Sequence, residues 1–258
     1  MMKTFCFTVD DNIRFYQELS KGNPASLFEH PYLAMYKRLH EKYGLKIQLN
    51  LFYEMPGFDL SQMTDRFRQE WRENADWLKL SFHSRLENVK PYQFSGYQDV
   101  YEDCSAVQQQ ILRFAGNDSL ATTTTIHYCQ TTEEGLHALR DLGVQGLLGL
   151  FGTEESPRTS YSLPESDCSV LRQGEIVRRC GMNFYSIDVI LNLYPLEEML
   201  DRLQALLHRD HLRVMIHEQY FYPDYHQYQP DFEEKLDRAF TLFIQNGYES
   251  RFAEEWPT

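Results

Sequence analysis

The chain has 258 residues, with 25 lysines and arginines against 38 aspartates and glutamates and a formal net charge of −13. Because the basic residues are scattered singly, they form no stripe that could neutralise a phosphate backbone, which excludes nucleic acid as an expected partner. The longest apolar runs are far shorter than the roughly 20 residues that cross a bilayer, so no membrane partner is expected either.

The five cysteines are odd in number, dispersed and nowhere spaced as a CxxC pair: Cys6, Cys104, Cys129, Cys168 and Cys180. This usage is typical of free thiols in a reducing compartment. The first residues also lack the series of basic, apolar and small residues that marks an export signal. We therefore expect a cytoplasmic protein.

Strand-like and helix-like patterns alternate along the first half of the chain. An apolar run over 4–9 is typical of a buried strand, and a helical stripe over 31–42 ends at Gly44. The predicted order is strand 4–9, helices 12–19 and 31–42, strand 45–53, helix 61–75, strand 77–83 and helix 97–115.

The second half continues the alternation with one interruption. The predicted order is strand 121–128, helix 132–142, strand 146–151, paired strands 173–180 and 182–187, helix 196–208, strand 212–217, helix 231–246 and strand 248–252. Residues 152–171 are polar and contain two prolines, so a long functional loop or a small excursion is expected there.

This regular alternation favours an α/β fold with a parallel sheet. No GxGxxG follows the first strand and no GxxxxGK[ST] occurs, so the nucleotide-binding open sheets lose their main support. No stretch resembles a linker, and we interpret residues 1–258 as one domain. The remaining architecture for so many strand-helix units is a single (β/α) barrel.

Polar residues follow or end most of the predicted strands. They are Asp10, Asp11, Glu54, His83, His127, Asp188, His217 and Glu218. A barrel collects its active site at the C-terminal ends of its strands, so this distribution predicts that several of these side chains meet.

The adjacent pair Asp10 and Asp11 ends the first apolar run. Consecutive side chains of a strand point to opposite faces, so the two acids serve different tasks in one site only if the strand ends between them. An alternative is that Asp11 or Asn12 caps the helix that follows. The sequence alone leaves chemistry and capping equally open.

His83 stands at a predicted strand end, with Glu87 four residues later. If the chain turns helical there, this spacing brings both side chains to one side of a single turn and within reach of one metal ion. Imidazole with carboxylate oxygen suits zinc and other divalent first-row metals. The simpler alternative is a surface histidine beside a surface glutamate.

Three segments resemble motifs of the polysaccharide deacetylase family, whose members are carbohydrate esterases. Residues 8–12, T-V-D-D-N, are similar to its T-F-D-D-G motif, and residues 83–87, H-S-R-L-E, to its H-[ST]-x-x-[HD] motif. Residues 214–217, V-M-I-H, are similar to a late strand of the family that ends in a histidine. In this order the resemblance spans nearly the whole chain.

The resemblance implies a distorted seven-stranded (β/α) barrel and a divalent metal ion, zinc first, with cobalt, nickel or manganese as alternatives. It implies that Asp10 is the general base and His217 the general acid. It assigns the metal to Asp11, His83 and Glu87. The implied reaction is removal of an acetyl or other acyl group from an N-acetylated sugar or related carbon–nitrogen substrate, with a metal-activated water as nucleophile.

The chain also departs from the family pattern. Asn12 replaces the glycine of the first motif and Glu87 replaces the second histidine. The arginine-proline motif expected after the fourth strand is absent, and I-H-Y-C stands there at 126–129. His127 is therefore predicted as an additional metal ligand, as a substrate contact, or as a histidine that only fills the barrel interior. Glu54 and Glu218, which follow other predicted strands, are further candidate metal or substrate contacts.

Two other functions stay open from the sequence. A glycoside hydrolase could use two carboxylates without a metal, with Asp10 and Glu218 as the pair. Alternatively, a degenerate member of the family could bind carbohydrate without turnover. The aromatic residues after His217 fit either a sugar-stacking surface or a loop packed over the barrel mouth: Tyr220, Phe221, Tyr222, Tyr225 and Tyr228.

Overall fold

Strands and helices alternate in the computed structural model, which describes residues 2–87 and 92–256. The strands are β1 (Lys3–Asn12), β2 (Ile47–Met55), β3 (Phe58–Asp59), β4 (Leu78–Leu86), β5 (Thr123–Thr124), β6 (Gly146–Gly149), β7 (Val177–Arg179), β8 (Met182–Ser186), β9 (Val189–Ile190), β10 (His211–His217) and β11 (Tyr248–Ser250). The helices are α1 (Arg14–Lys21), α2 (Pro31–Tyr43), α3 (Arg68–Glu73), α4 (Tyr97–Phe114), α5 (Glu133–Asp141), α6 (Glu165–Arg172), α7 (Leu196–Ala205) and α8 (Phe232–Gln245).

The strands form two sheets. The larger has the order β3-β2-β1-β10-β9, with β4 paired to β2 and β11 to β1, and the smaller has the order β5-β6-β8-β7. The pairs β2 with β3 and β7 with β8 are antiparallel, and the other ladders are parallel. The predicted α/β class with parallel strands is confirmed.

Among residues 2–87 and 92–256, backbone hydrogen bonds connect the two sheets at two places. The N–H of Ala121, just before β5, donates to the carbonyl of Leu80 in β4 over 2.9 Å. After β8, Ile187 donates to Gly149 of the smaller sheet, and the next residue, Asp188, donates to Arg213 of the larger sheet, each over 2.8 Å. The segment from β8 to β9 thus passes from one sheet to the other, while the seven-stranded barrel stays a prediction.

The two faces of β1 have different surroundings because its side chains alternate. Phe5 and Phe7 face the helices, with ring centroids 5.7 and 5.0 Å from that of Phe240 in α8. Cys6 faces the opposite way, into a cluster with Met215 of β10. Asp10 follows Cys6 at an even spacing and therefore lies on this inner face.

Several predicted elements differ from the structure. The helix predicted over 61–75 is wrong, because only a short 3-10 turn (Leu60–Gln62) and the six-residue α3 form there. The expected loop over 152–171 contains the start of α6, whose first helical residue follows Pro164, a residue compatible with a helix N-terminus. The predicted strand over 121–128 is reduced to β5, and the paired strands over 173–187 are confirmed as the hairpin of β7 and β8.

The N-terminus of α1 is capped by a residue distant in sequence. The carboxylate of Glu218, just after β10, accepts the N–H groups of Ile13 and Arg14 over 2.7 and 3.0 Å and that of Phe15 over 2.8 Å. It also accepts the hydroxyl of Tyr222 over 3.0 Å. A helix leaves its first N–H groups unpaired, and this carboxylate satisfies them.

This cap corrects two predictions. Neither Asp11 nor Asn12 caps the helix, since the N-cap residue is Ile13 and no side chain of the first turn accepts its N–H groups. Glu218 is also not a metal or substrate contact, because its oxygens face the backbone of α1 and Tyr222. The glycosidase pair of Asp10 and Glu218 loses its second carboxylate for the same reason.

All five cysteines have free thiols, as the sequence predicts, and four of them are buried. Among residues 2–87 and 92–256, no helix combines the length and the apolar character needed to span a membrane.

We expect Glu218→Ala to lower the free energy of unfolding by about 2–4 kcal/mol, because it leaves three N–H groups of a buried helix end without an acceptor. Urea denaturation followed by circular dichroism measures the change. The control is Glu197→Ala, which removes an exposed first-turn glutamate of α7 and should change stability by less than about 0.5 kcal/mol. Equal stability of both variants would contradict the capping role.

Candidate active site and metal centre

A β-bulge separates the two acids of the first strand. β1 pairs with β10 up to Asp10, opposite His217, but its register with β2 shifts between Val9 and Asn12. Asp11 has a φ of 65°, in the left-handed region that aspartate tolerates better than most residues. The condition that the strand ends between the two acids is not met, since β1 continues to Asn12. The bulge nevertheless turns the two carboxylates apart, as different tasks for them require.

Three ligand-type side chains converge at the C-terminal ends of the strands. Oδ1 of Asp11 lies 3.1 Å from Nε2 of His83 and 3.3 Å from Nδ1 of His127. The two imidazole nitrogens are 3.1 Å apart. His83 comes from β4 and His127 from the turn after β5, so three separate segments supply the group.

These spacings fit a metal ion. When a first-row ion makes bonds of about 2.0–2.1 Å, its neighbouring donor atoms lie about 3.0–3.4 Å from one another. Nδ1 of His83 is 2.5 Å from the carbonyl oxygen of Thr125, so this nitrogen carries the proton and leaves the lone pair on Nε2 free. Nε2 of His127 is buried without a hydrogen-bond partner among the described residues, which is consistent with a ring oriented by a ligand at Nδ1.

The second oxygen of Asp11 is held separately. Nε2 of Gln219 donates to Oδ2 of Asp11 over 2.6 Å, which leaves Oδ1 to the two histidines. Burial by itself would raise the pKa of Asp11, but the contacts with His127 and His83 hold that pKa well below its usual range. The ring of Phe52 packs against both imidazoles, with centroids 5.2 Å from His83 and 4.9 Å from His127.

Asp10 lies on the other side of the bulge and is buried. Nδ2 of Asn50 donates to its Oδ1 over 2.6 Å, and Asn50 in turn accepts a hydrogen bond from Gln48 over 2.8 Å. Burial raises the pKa of Asp10 well above its usual range, and the negative charge of Asp11 adds to this, although the Asn50 contact opposes it. A carboxyl group with a raised pKa is a suitable proton acceptor near neutral pH.

His217 is the register partner of Asp10 on the neighbouring strand, so the two side chains lie beside each other. Its Nδ1 is 2.9 Å from Oδ1 of Asn192, which also accepts the backbone N–H of His217 over 3.1 Å. The amide oxygen can only accept, so Nδ1 carries a proton and Nε2 is left for chemistry. Burial lowers the pKa of His217, while the charge of Asp11 opposes the shift.

The site opens into a cavity of about 280 Å³. Two of the aromatic residues after β10 line it, Tyr220 and Tyr225, whose rings meet edge to face at 5.2 Å. Phe221 instead packs on Tyr32 at 5.2 Å, away from the cavity. The aromatic segment is thus divided between the cavity wall and packing against Tyr32, and sugar stacking stays a prediction.

The structure does not bring Glu87 into the metal-type group. It lines the same cavity, but it is exposed and its carboxylate is not among the three ligand atoms that converge. The predicted helical turn after His83 is absent, because β4 continues to Leu86, and four residues of extended chain span about 13 Å. His127 occupies the place that the resemblance assigned to Glu87.

Glu54 is also separate from the group. Its carboxylate pairs with Nε of Arg85 over 3.0 Å at the partly exposed end of β2. Of the predicted site residues, six line this cavity: Asp10, Asp11, His83, Glu87, His127 and His217.

Three amide residues of the site were missed at the sequence level: Asn50, Asn192 and Gln219. The sequence does carry a signal for Asn50. Gln48 and Asn50 alternate with the apolar residues Ile47, Leu49 and Leu51 at the start of β2, so the two amides share one face. Asn192 and Gln219 follow strands in short 3-10 turns, where polar residues are ordinary, so no local pattern distinguishes them.

No family model matches the chain, and no curated protein matches its sequence. Solved structures do match its fold. The family 4 acetyl xylan esterase from Clostridium thermocellum, solved with a cobalt ion, is 14% identical with a TM-score of 0.54, and the match covers 98% of this chain and 89% of that one. The Xyl-CE4 domain of a multidomain xylanase from the hindgut metagenome of Trinervitermes trinervoides is 11% identical with a TM-score of 0.51, covering 99% and 89%.

A third structure is larger than this chain. The 4-alpha-glucanotransferase from Thermococcus litoralis is 12% identical with a TM-score of 0.62, covering 99% of this chain but 40% of that one. Identities this low show the fold alone. At that level the chain is similar to carbohydrate esterases, and the fold that the motif resemblance implies agrees with these matching structures.

We expect His127→Ala to weaken binding of Mn²⁺ by at least about 100-fold, because it removes one of three converging donors. Glu87→Gln should change the affinity by less than about twofold, since this exposed carboxylate lies outside the group. The free-ion electron paramagnetic resonance signal of Mn²⁺ measures both. If Glu87→Gln weakens Mn²⁺ binding more than His127→Ala does, the ligand set Asp11, His83 and Glu87 is supported instead.

Proposed function

We propose that the protein is a metal-dependent hydrolase that removes an acetyl or related acyl group from an N-acylated sugar or a similar carbon–nitrogen substrate. One observation carries the proposal: Asp11, His83 and His127 present three donor atoms 3.1–3.3 Å apart, directly beside Asp10 and His217. The fold shared with carbohydrate esterases supports this class of reaction.

Asp11, His83 and His127 would hold a divalent ion, with zinc, cobalt, nickel and manganese all compatible with two imidazoles and a carboxylate. When bound, such an ion lowers the pKa of water and polarises a carbonyl group. Gln219 fixes the carboxylate of Asp11, and the carbonyl of Thr125 fixes the ring of His83. These outer contacts orient the ligands before the substrate arrives.

Asp10 and His217 divide the proton transfers. Asp10 takes a proton from the attacking water while the oxygen of that water bonds to the acyl carbon. His217 then gives a proton from Nε2 to the amine nitrogen as the carbon–nitrogen bond breaks, which releases the acid and the free amine. Asn50 holds Asp10, and Asn192 holds His217 with Nε2 directed away from the contact.

The cavity favours a carbohydrate as the substrate. Tyr220 and Tyr225 at its wall are surfaces on which a sugar ring can stack. We further propose that residues 1–258 form one domain that works in the cytoplasm, as a core extending from Phe5 to Tyr248 and five free cysteines support.

The test of function is release of acetate from short oligomers of N-acetylglucosamine. We expect turnover that a chelator abolishes and added Co²⁺ or Zn²⁺ restores. Asp10→Asn should lower kcat by about 10²–10⁴-fold, because the base is lost, while Mn²⁺ binding stays within about threefold. Glu54→Gln, a strand-end carboxylate outside the cavity, is the matched control and should leave kcat unchanged.

Two results would count against the proposal. Oligomer binding without any acetate release, unaltered by Asp10→Asn, would indicate a carbohydrate-binding protein. Chelator-resistant cleavage of an aryl glycoside would indicate a glycosidase.

The pH dependence of the activity should reflect the shifted pKa values of Asp10 and His217. Activity needs Asp10 ionised and His217 protonated, so the rate falls as the pH drops through the raised pKa of Asp10 and as it rises through the lowered pKa of His217. Asn192→Asp places a negative charge beside Nδ1 of His217 and should raise that pKa, moving the alkaline limb of kcat/KM upward by about one pH unit. Asn192→Ala is the control, and an alkaline limb that stays in place in the aspartate variant would contradict the role of His217.

A further inference from the structure

A second group of ligand-type side chains lies outside the site described above. Glu133 and His137 belong to α5, and Cys180 belongs to the turn that joins β7 to β8. One carboxylate oxygen, one imidazole nitrogen and the sulfur lie within 4.8 Å of one another. We call these three residues the outer cluster.

Two separate elements build the outer cluster. Glu133 and His137 are four residues apart on a helix, so they lie one above the other on the same face. Cys180 reaches them from a two-residue hairpin turn, since Arg179 and Met182 on either side are paired in the antiparallel ladder. The tertiary structure thus brings α5 and the hairpin of β7 and β8 together, although no sequence motif links the two segments.

The backbone of Cys180 is unusual. Cys180 and Gly181 have φ values of 51° and 80°, which is the conformation of a tight hairpin turn that favours asparagine or glycine at both positions. Glycine is present at the second position, but a cysteine stands at the first. Its side chain is only partly exposed and faces α5.

Within the described part of the chain, no side chain of the outer cluster takes part in a side-chain hydrogen bond or an ion pair. The nearby cation Arg140, whose Cδ approaches Gly181, is paired with Asp141 over 2.8 Å. A carboxylate, an imidazole and a thiol therefore converge, and the nearby Arg140 is not ion-paired with any of them.

We propose that the outer cluster binds a zinc ion or another thiophilic divalent cation. Thiolate, imidazole and carboxylate are the three ligand types of protein zinc sites, and a water would complete four-coordination. The Cys180 thiol releases its proton to solvent as the metal–sulfur bond forms. The ion would tie α5 to the hairpin of β7 and β8, and the site is independent of the proposed hydrolase site, which contains no sulfur ligand.

Cobalt distinguishes the two sites, because only a thiolate ligand gives an intense sulfur-to-cobalt charge-transfer band in the near ultraviolet. The full chain is purified with a reductant, freed of metal by dialysis against a chelator and titrated with Co²⁺. We expect the wild type to show the band and bind two ions per chain. Cys180→Ser should lose the band and bind one ion, whereas Asp11→Asn should keep the band and bind one ion.

A pair of variants on α5 provides the matched control. Glu133→Ala should weaken cobalt binding at the outer cluster by at least about tenfold, since even outer-shell partners of a metal are worth about 10–100-fold. Glu134→Ala, the exposed neighbour outside the cluster, should leave the titration unchanged. Thermal denaturation of each variant without metal confirms that it is folded.

Two results would overturn the outer cluster as a metal site: no charge-transfer band in the wild type, or a band that persists in Cys180→Ser. Failure of the hydrolase proposal has a different signature. In that case Asp11→Asn leaves the number of bound ions unchanged, while the band at Cys180 is unaffected.

Discussion

The buried carboxylate of Asp11 is the group on which the arrangement of the site depends. A carboxylate removed from water is strongly destabilising unless charged or hydrogen-bonding partners surround it. Those partners come from three places: His83 from within β4, His127 from the turn after β5 and Gln219 from the turn after β10. Because parallel strands end on one side of a sheet, residues far apart in sequence can meet here, and their contacts offset a left-handed backbone at Asp11.

Neutral amides hold the charged groups of the site. Asn50 contacts Asp10, Gln219 contacts Asp11 and Asn192 contacts His217. An amide fixes a rotamer or a tautomer without adding charge, so the two adjacent carboxylates are positioned without further cations competing for them. This leaves the negative charge of the site available for a metal ion, and it leaves the pKa values of Asp10 and His217 to be set mainly by burial.

The departures from the deacetylase motifs have structural explanations. Asn12, at the position of the motif glycine, donates to the carbonyls of Val9 and Asn50 over 2.6 and 3.1 Å and accepts the hydroxyl of Tyr32 over 2.8 Å. Its side chain therefore closes the bulge that separates the two acids. In place of the arginine-proline motif, the chain has the turn that carries His127, with left-handed backbone at Tyr128. The chain shares its fold with the matching structures at only 11–14% identity.

The sequence by itself determined the alternation of strands and helices and the residues at the strand ends, because both follow from local periodicity and turn chemistry. It therefore predicted Asp10, Asp11, His83 and His217 as site residues. Only the tertiary structure brought His127, rather than Glu87, next to Asp11 and His83, and only it assigned Glu218 to the end of α1. The spacing of His83 and Glu87 has meaning only if the chain turns helical, whereas β4 stays extended. Convergence depends on strand register and on one bulge, and these are set by contacts between segments that no local pattern relates.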